Sequence, residues 1–446
     1  MIYNRRKIFS LALPSMIENI LQMLMGMVDN YLVAQIGLVA VSGVSIANNI
    51  ISIYQSLFIA LGAAVSSLIA RSIGENNQNK QLNYMAGVLQ VTLLLSVGLG
   101  LLSVVGHHQV LEWLGAEASV TLVGGQYLSI VGGMIVSLGL LTSLGAIVRA
   151  QGYPKIPMQV SLLINVLNAI FSALSIYVWG FGLLGVAWAT VLSRLVGVFL
   201  LCQFIPIKQV AKRLMRPLDK IIFDLSLPAA GERLMMRAGD VLIIGIVVRF
   251  GTTALAGNAI GETLTQFNYM PGLAMATVTI ILVARQLGGG KVTEIRYIIR
   301  EAFILSTLMM LVMGALTYLL GPSLLPLFTQ NTDAQRSAMV VLLFSLLGAP
   351  ATAGTLVYTA VWQGLGKAKL PFYATTIGMW VIRIGLGYVI GVVWQYGLIG
   401  VWMATVLDNT SRWFFSLNNL KSTKKLSFIR KVVFLKKMPK KLAMTK

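Results

Sequence analysis

Gly185-Val186-Ala187-Trp188-Ala189-Thr190-Val191-Leu192 returns 215 residues later as Gly400-Val401-Trp402-Met403-Ala404-Thr405-Val406-Leu407. Working outward, the repeat extends over most of the chain at a shift of 214. Leu11-Ala12-Leu13-Pro14 meets Leu225-Ser226-Leu227-Pro228, Glu18 meets Glu232, Gly37 meets Gly251, Ala70-Arg71 meets Ala284-Arg285 and Gly74 meets Gly288. Gly152, Lys155 and Pro157 fall on Gly366, Lys369 and Pro371 in the same register. A duplication of this length organises the fold before any motif does.

Composition says what is duplicated. Of 446 residues, 57% are hydrophobic and 11% are charged, against roughly 25% charged in soluble chains. A mean hydropathy of +0.81 requires lipid as the solvent for most of the surface. A spanning helix needs about 20 apolar residues, and the chain resolves into twelve such segments: 8–35, 38–72, 80–105, 119–148, 155–179, 183–204, 219–249, 253–285, 296–320, 337–364, 370–393 and 398–419. The expectation is an all-α polytopic membrane protein with twelve transmembrane helices in two homologous six-helix bundles. Their bounds are 1–206 and 221–420, with a linker at 207–220 and a basic tail at 421–446. Pro14, Pro228, Pro271 and Pro350 are candidate kinks. Arg5, Arg6 and Lys7 before an apolar run imitate a signal peptide, but Pro14 and Glu18 interrupt it, so the first span is read as retained.

The net charge of +21 suggests nucleic acid until the bases are sorted by connection. Twenty-eight of the 35 lie at the two ends and in the even-numbered connections, two (Arg249, Arg336) lie in odd-numbered ones, and Arg194, Arg233, Arg237, Arg383 and Arg412 lie within spans. This positive-inside pattern places both termini in the cytoplasm. It removes the nucleic-acid reading, because the bases are not interleaved with stacking aromatics. The tail from Lys424 to Lys437 reads either as an amphipathic membrane-surface stretch or as an orientation anchor. The single Cys202 forms no disulfide within the chain.

Six spans per half start both repeats on the same side, as in transporters with parallel repeats. The other reading of the duplication is a purely stabilising one. No enzyme is expected. His107 and His108 have no further ligands at zinc spacing, and Gly288-Gly289-Gly290-Lys291 lacks the features of a phosphate-binding loop. No cofactor is expected.

An ionised side chain in a span costs about 2.5–3.5 kcal/mol on insertion scales, so each one needs a reason. The candidates are Glu18, Asp29, Glu232, Asp240, Glu262 and Asp408. Asp29 has the apolar Ile243 opposite it in the second half, an asymmetry that suggests function; the alternative is a buried carboxylate satisfied by neighbours. Glu18 and Glu232 are symmetric, which favours structure. Glu232, Arg233, Arg237 and Asp240 have helical spacings suited to pairing with one another. Arg383 either sits at the base of a C-half cavity or pairs with Asp408, and the second reading is preferred. Asn165, Asn168, Ser172 and Thr190 add polar groups in spans five and six, with Asn168 and Ser172 four apart on one face. Methionines such as Met23, Met27, Met235 and Met236 read as packing or as an adaptable wall.

The Leu-Pro opening, Val28-Asp29-Asn30, the turn Arg149-Ala150-Gln151-Gly152-Tyr153-Pro154-Lys155 and Gly185-Val186-Ala187-Trp188-Ala189-Thr190 together resemble the multidrug and toxic compound extrusion (MATE) family, over residues 8 to about 420. The resemblance implies a secondary antiporter that expels organic cations in exchange for sodium ions or protons. It implies that Asp29 binds the coupling cation, and that Asn168, Ser172 and Thr190 gather around it to hold a sodium ion. Some relatives carry a second aspartate where this chain has Ser172. Glu18, Glu232, Asp240, Glu262 and Arg383 form a secondary polar network. The expected partners are small organic cations and membrane lipids, with a monomer in the plasma membrane as the working unit. The rivals are a flippase for lipids or lipid-linked glycans, which would need a more basic central cavity, and a membrane scaffold.

Overall fold

The computed structural model describes residues 4–422, and among these the regular elements are all helical. In chain order the helices are α1 (Arg5–Ala34), α2 (Leu38–Gly74), α3 (Gln78–Val105), α4 (His107–Trp113), α5 (Ala118–Val131), α6 (Val136–Gln151), α7 (Lys155–Tyr177), α8 (Gly182–Cys202) and α9 (Ile207–Ala211). The second half has α10 (Lys220–Val248), α11 (Thr252–Gly288), α12 (Val292–Leu324), α13 (Thr332–Leu347), α14 (Ala349–Gly364), α15 (Lys369–Ile377) and α16 (Gly397–Ser422). They make twelve spans, with α4 and α9 as short connectors. The Lys424–Lys437 stretch lies outside the described residues.

Two spans differ from single rods. α5 and α6 meet at 47° and α13 and α14 at 55°, so spans four and ten are broken at equivalent places in the two halves. The first break falls at Gly132-Gly133, the second at Gly348, with Pro350 in the first turn of α14. Helix continues through Pro14, Pro228 and Pro271. Span eleven passes from α15 into π-helix over Gly378–Leu386 and Val389–Val393, where its counterpart α7 is plain α-helix. A π-turn accommodates one extra residue. This accounts for the repeat register changing from 214 at Pro157/Pro371 to 215 at Gly185/Gly400.

The repeat partners α2 and α11 have 37 residues each, about 55 Å of helix at 1.5 Å per residue. Both are longer than the bilayer core is thick and are buried along most of their length. Gly37 and Gly251 open them with φ of 140° and 95°, values that a side chain disfavours. At their other ends the two helices cross so tightly that a methyl on Gly74 would overlap the Arg285 carbonyl oxygen, and one on Gly288 that of Arg71. Ala70 packs there with Ile281 and Ala284.

The two halves are interlocked at this basic end. Ile8 and Ala12 of α1 are buried in the core of the second half, among Met275, Val278, Leu282 and Ile298. Their counterparts at the start of α10 do the reverse: Ile222 and Leu225 are buried among Leu82, Met85, Leu89 and Val148 of the first half. Ser67 donates from its hydroxyl to the Gln363 carbonyl at 3.0 Å, and Arg5 pairs with Glu301 at 2.6 Å. Toward the other end the cores separate. One cluster, from Val33 to Ala187, draws only on the first half, and another, from Ile243 to Val401, only on the second. The bundles are therefore joined at the basic face and part toward the opposite one.

Candidate functional site

α1 carries Asp29 near the end remote from the basic face, and packs against α7, which packs against α8. From α7, Asn168 donates its amide to Thr190 Oγ1 of α8 at 3.1 Å, and Ser172 donates its hydroxyl to Asn168 Oδ1 at 3.3 Å. The Thr190 hydroxyl donates in turn to the Val186 carbonyl at 3.0 Å. Asn168, Ser172 and Thr190 thus form one hydrogen-bonded chain, and all three are buried. Asp29 is not directly hydrogen-bonded to it. Its Oδ1 is buried with no hydrogen-bond partner, and the Asn165 amide nitrogen is in the same condition.

Two residues outside the sequence-derived set complete the cluster. The Tyr127 phenol of α5 lies near Thr190 and within electrostatic reach of Asp29. Arg194 of α8 lies within reach of both Asp29 and Tyr127, and its buried Nη1 also lacks a partner. Arg194 was findable, being four residues after Thr190 and hence on its face. Tyr127 has Val341 as its repeat counterpart and gave no signal in the sequence. The oxygens available (one orphaned carboxylate, an amide and hydroxyls) suit a hard monovalent cation better than a thiophilic metal.

The secondary network divides into parts. Glu18 accepts from Arg149 Nη1 at 3.0 and 2.9 Å. At the corresponding place in the second half, Glu232 accepts from Gln363, the counterpart of Arg149, at 3.3 Å and from Thr375 at 3.2 Å. The pairing expected along α10 does not form. Asp240 is bound by Arg383 from the π-helical segment at 3.3 Å, and among the described residues neither Arg233 nor Arg237 has a hydrogen bond or ion pair. Arg383 is likewise not the ion-pair partner of Asp408, which pairs with Arg412 at 2.8 Å. The reason is reach: Arg412 is one turn from Asp408 on the same helix, whereas Arg383 projects toward α10.

The halves also repeat the site's frame. Asn168 binds Thr190 across 22 residues, and Arg383 Nε binds Thr405, also across 22, at 3.2 Å. The amide of the first half is thus a guanidinium in the second. Glu262 of α11 lies one turn from Asn258 on the same helix, and Asn258 accepts from the Trp402 indole at 3.0 Å.

Two duplicated six-span bundles, interlocked at one end and parted at the other around unpaired intramembrane charge, define the two-lobed class of membrane transporter fold. The family model MatE matches residues 14–174 and 228–389, and the chain belongs to that family. It is 27% identical over 415 residues to the probable multidrug resistance protein NorM of Thermotoga maritima, covering 91% of this chain and 89% of that one. It is 24% identical over 421 residues to the uncharacterized transporter YisQ of Bacillus subtilis, covering 91% of each. The crystal structure of MATE in the bent conformation matches with a TM-score of 0.88 at 22% identity, over 96% of this chain and 97% of that one.

Proposed function

We propose that this protein is a secondary active exporter of small amphipathic compounds, organic cations among them, driven by exchange for sodium ions or protons. The observation that carries the reading is the orphaned, buried Asp29 Oδ1, within electrostatic reach of Tyr127 and Arg194, in a chain whose halves are joined at one end only. The basic face is cytoplasmic, the membrane is the plasma membrane, and the monomer is the working unit. The interlocked state is then closed to the cytoplasm and open outward.

Asp29, Asn168 and Thr190 would hold a sodium ion, with Ser172 orienting the Asn168 amide; for a proton, Asp29 alone suffices. Either adds one positive charge at the single carboxylate of a cluster that Arg194 also borders. With Asp29 neutralised, closing the first half around it no longer buries an unpaired charge, and the hold on a cationic substrate weakens. Linkage makes the effect reciprocal: substrate weakens coupling-ion binding by the same factor. The test is ethidium export from proteoliposomes with the sodium and pH gradients collapsed separately. Dependence on one gradient supports exchange and names the ion; dependence on neither refutes it.

A further inference from the structure

α10 carries a stripe at helical spacing: Ile222, Leu225, Ala229, Arg233, Met236 and Asp240. Its lower end faces the first half, since Ile222 and Leu225 are buried in that half's core. Farther along the same stripe are Arg233 and Asp240, with Arg237 one turn beyond Arg233, on a helix that packs against α2 of the first half. The Asp240 side chain is 41% exposed, and Tyr269 of α11 lies within electrostatic reach of Arg233 and Asp240. Arg233 and Arg237 are 13 and 17 residues into α10 from Lys220, about 20 and 26 Å along the axis. From Val248 at the other end they are 15 and 11 residues, about 22 and 16 Å, so Arg233 lies mid-span and Arg237 in the outer half.

The charges of the second half's spans are balanced in number but not in partners. Glu232 is held by Gln363 and Thr375, Asp240 by Arg383 and Asp408 by Arg412, and Glu262 lies one turn from Asn258. Each of these acids has a polar neighbour, although Asp408 Oδ1 is left without a hydrogen bond. Arg233 and Arg237, four residues apart on α10, have no hydrogen bond or ion pair among the described residues, although Arg233 lies within electrostatic reach of Glu232. Two guanidinium forks four residues apart present parallel N–H donors matched to a carboxylate or phosphate.

We propose that Arg233 and Arg237 form an anion-accepting subsite in the cleft, which binds the carboxylate or phosphate of an amphiphilic substrate. This rests on the export reading above and specifies its substrate class. The preferred compound carries an anionic group for α10, and a cationic centre on the same molecule faces the half that holds Asp29. Arg383, already bound to Asp240, sets the far limit of the subsite.

The test uses the purified full-length protein and two dyes: a cationic xanthene bearing a free carboxylate, and its ethyl ester. Fluorescence anisotropy is read in detergent and in phosphatidylcholine nanodiscs. The free carboxylate is expected to bind about tenfold more tightly than the ester. Arg233→Gln/Arg237→Gln should erase that preference and leave ester affinity unchanged, while Arg233→Lys/Arg237→Lys, which keeps both charges, should retain part of it. Equal affinity of wild type for the two dyes, or an undiminished preference in the glutamine variant, overturns the subsite. Displacement of the acid dye by phosphatidylglycerol added to the nanodiscs assigns the pair to a lipid headgroup and also overturns it. Gradient-driven export of the ester in proteoliposomes is scored separately. Export without the binding preference would sink the subsite alone, and binding preference without export would sink the transport reading alone.

Discussion

Arg149 donates from a single guanidinium nitrogen to both carboxylate oxygens of Glu18, at 3.0 and 2.9 Å, within a largely buried pair. Its repeat counterpart is a neutral amide on the same acid position. Removing one member of a buried pair costs about 3–5 kcal/mol, because the other is left charged and unpartnered. Arg149→Ala should therefore lower the melting temperature in detergent markedly, whereas Arg149→Gln, which copies the Gln363–Glu232 arrangement, should lower it much less. Equal losses would mean that the charge, not the donor, is what Glu18 requires.

Asp29→Asn keeps the shape of the side chain and removes its charge. The variant should purify as a folded monodisperse protein and lose gradient-driven ethidium export. Transport at wild-type rates would remove Asp29 from the coupling site.

Ile8 and Ile222 are both fully buried in the opposite half. Truncating either to alanine should cost about 2–5 kcal/mol and act specifically on the interlocked state. A cysteine probe placed on the inner surface of α2 or α11 should then become more reactive from the basic face. Unchanged labelling would show that these contacts do not hold that end shut.

Ala70 and Ala284 are repeat partners that share one buried cluster with Ile281 at the seam. In a Cys202→Ser background, Ala70→Cys/Ala284→Cys should oxidise to a disulfide and arrest transport, with recovery on reduction. A protein cross-linked in full yet transporting normally would contradict alternation through opening of this seam.

Glu75, beyond the end of α2, pairs with Lys80 at 2.7 Å and Arg71 at 3.2 Å. Burial pushes its carboxyl up, but the two bases together outweigh this and hold it below its ordinary value. A lowered folded value means that the stabilisation is complete above about pH 4.5 and is lost as pH falls through the folded value. The groups are partly exposed, so the effect is at most about 1 kcal/mol. Comparing melting curves of wild type and Glu75→Gln across this range should show convergence at the acid end.

The sequence was informative about architecture because lipid imposes a coarse rule: about 20 apolar residues per span, bases at one face and repeats at a fixed shift. It placed Asn168, Ser172 and Thr190 together, since helical spacing and adjacent spans determine such contacts. It was silent about Tyr127, which looks like any aromatic in an apolar run. It misassigned Arg383 because a one-residue π insertion changes which way the side chain points, and spacing rules for α-helices do not see it. The expected self-neutralisation along α10 failed for a related reason: sequence neighbours competed with a partner from another helix, and Arg383 took Asp240.

The mutual insertion of Ile8 and Ile222 makes opening at the basic face a concerted event. Withdrawing one isoleucine separates the same surfaces that clasp the other, so the two clasps release together. A half-released intermediate is disfavoured, so the basic face has two positions, joined and parted. The closure of the basic face thus depends on two apolar side chains that lie apart from the Asp29 cluster.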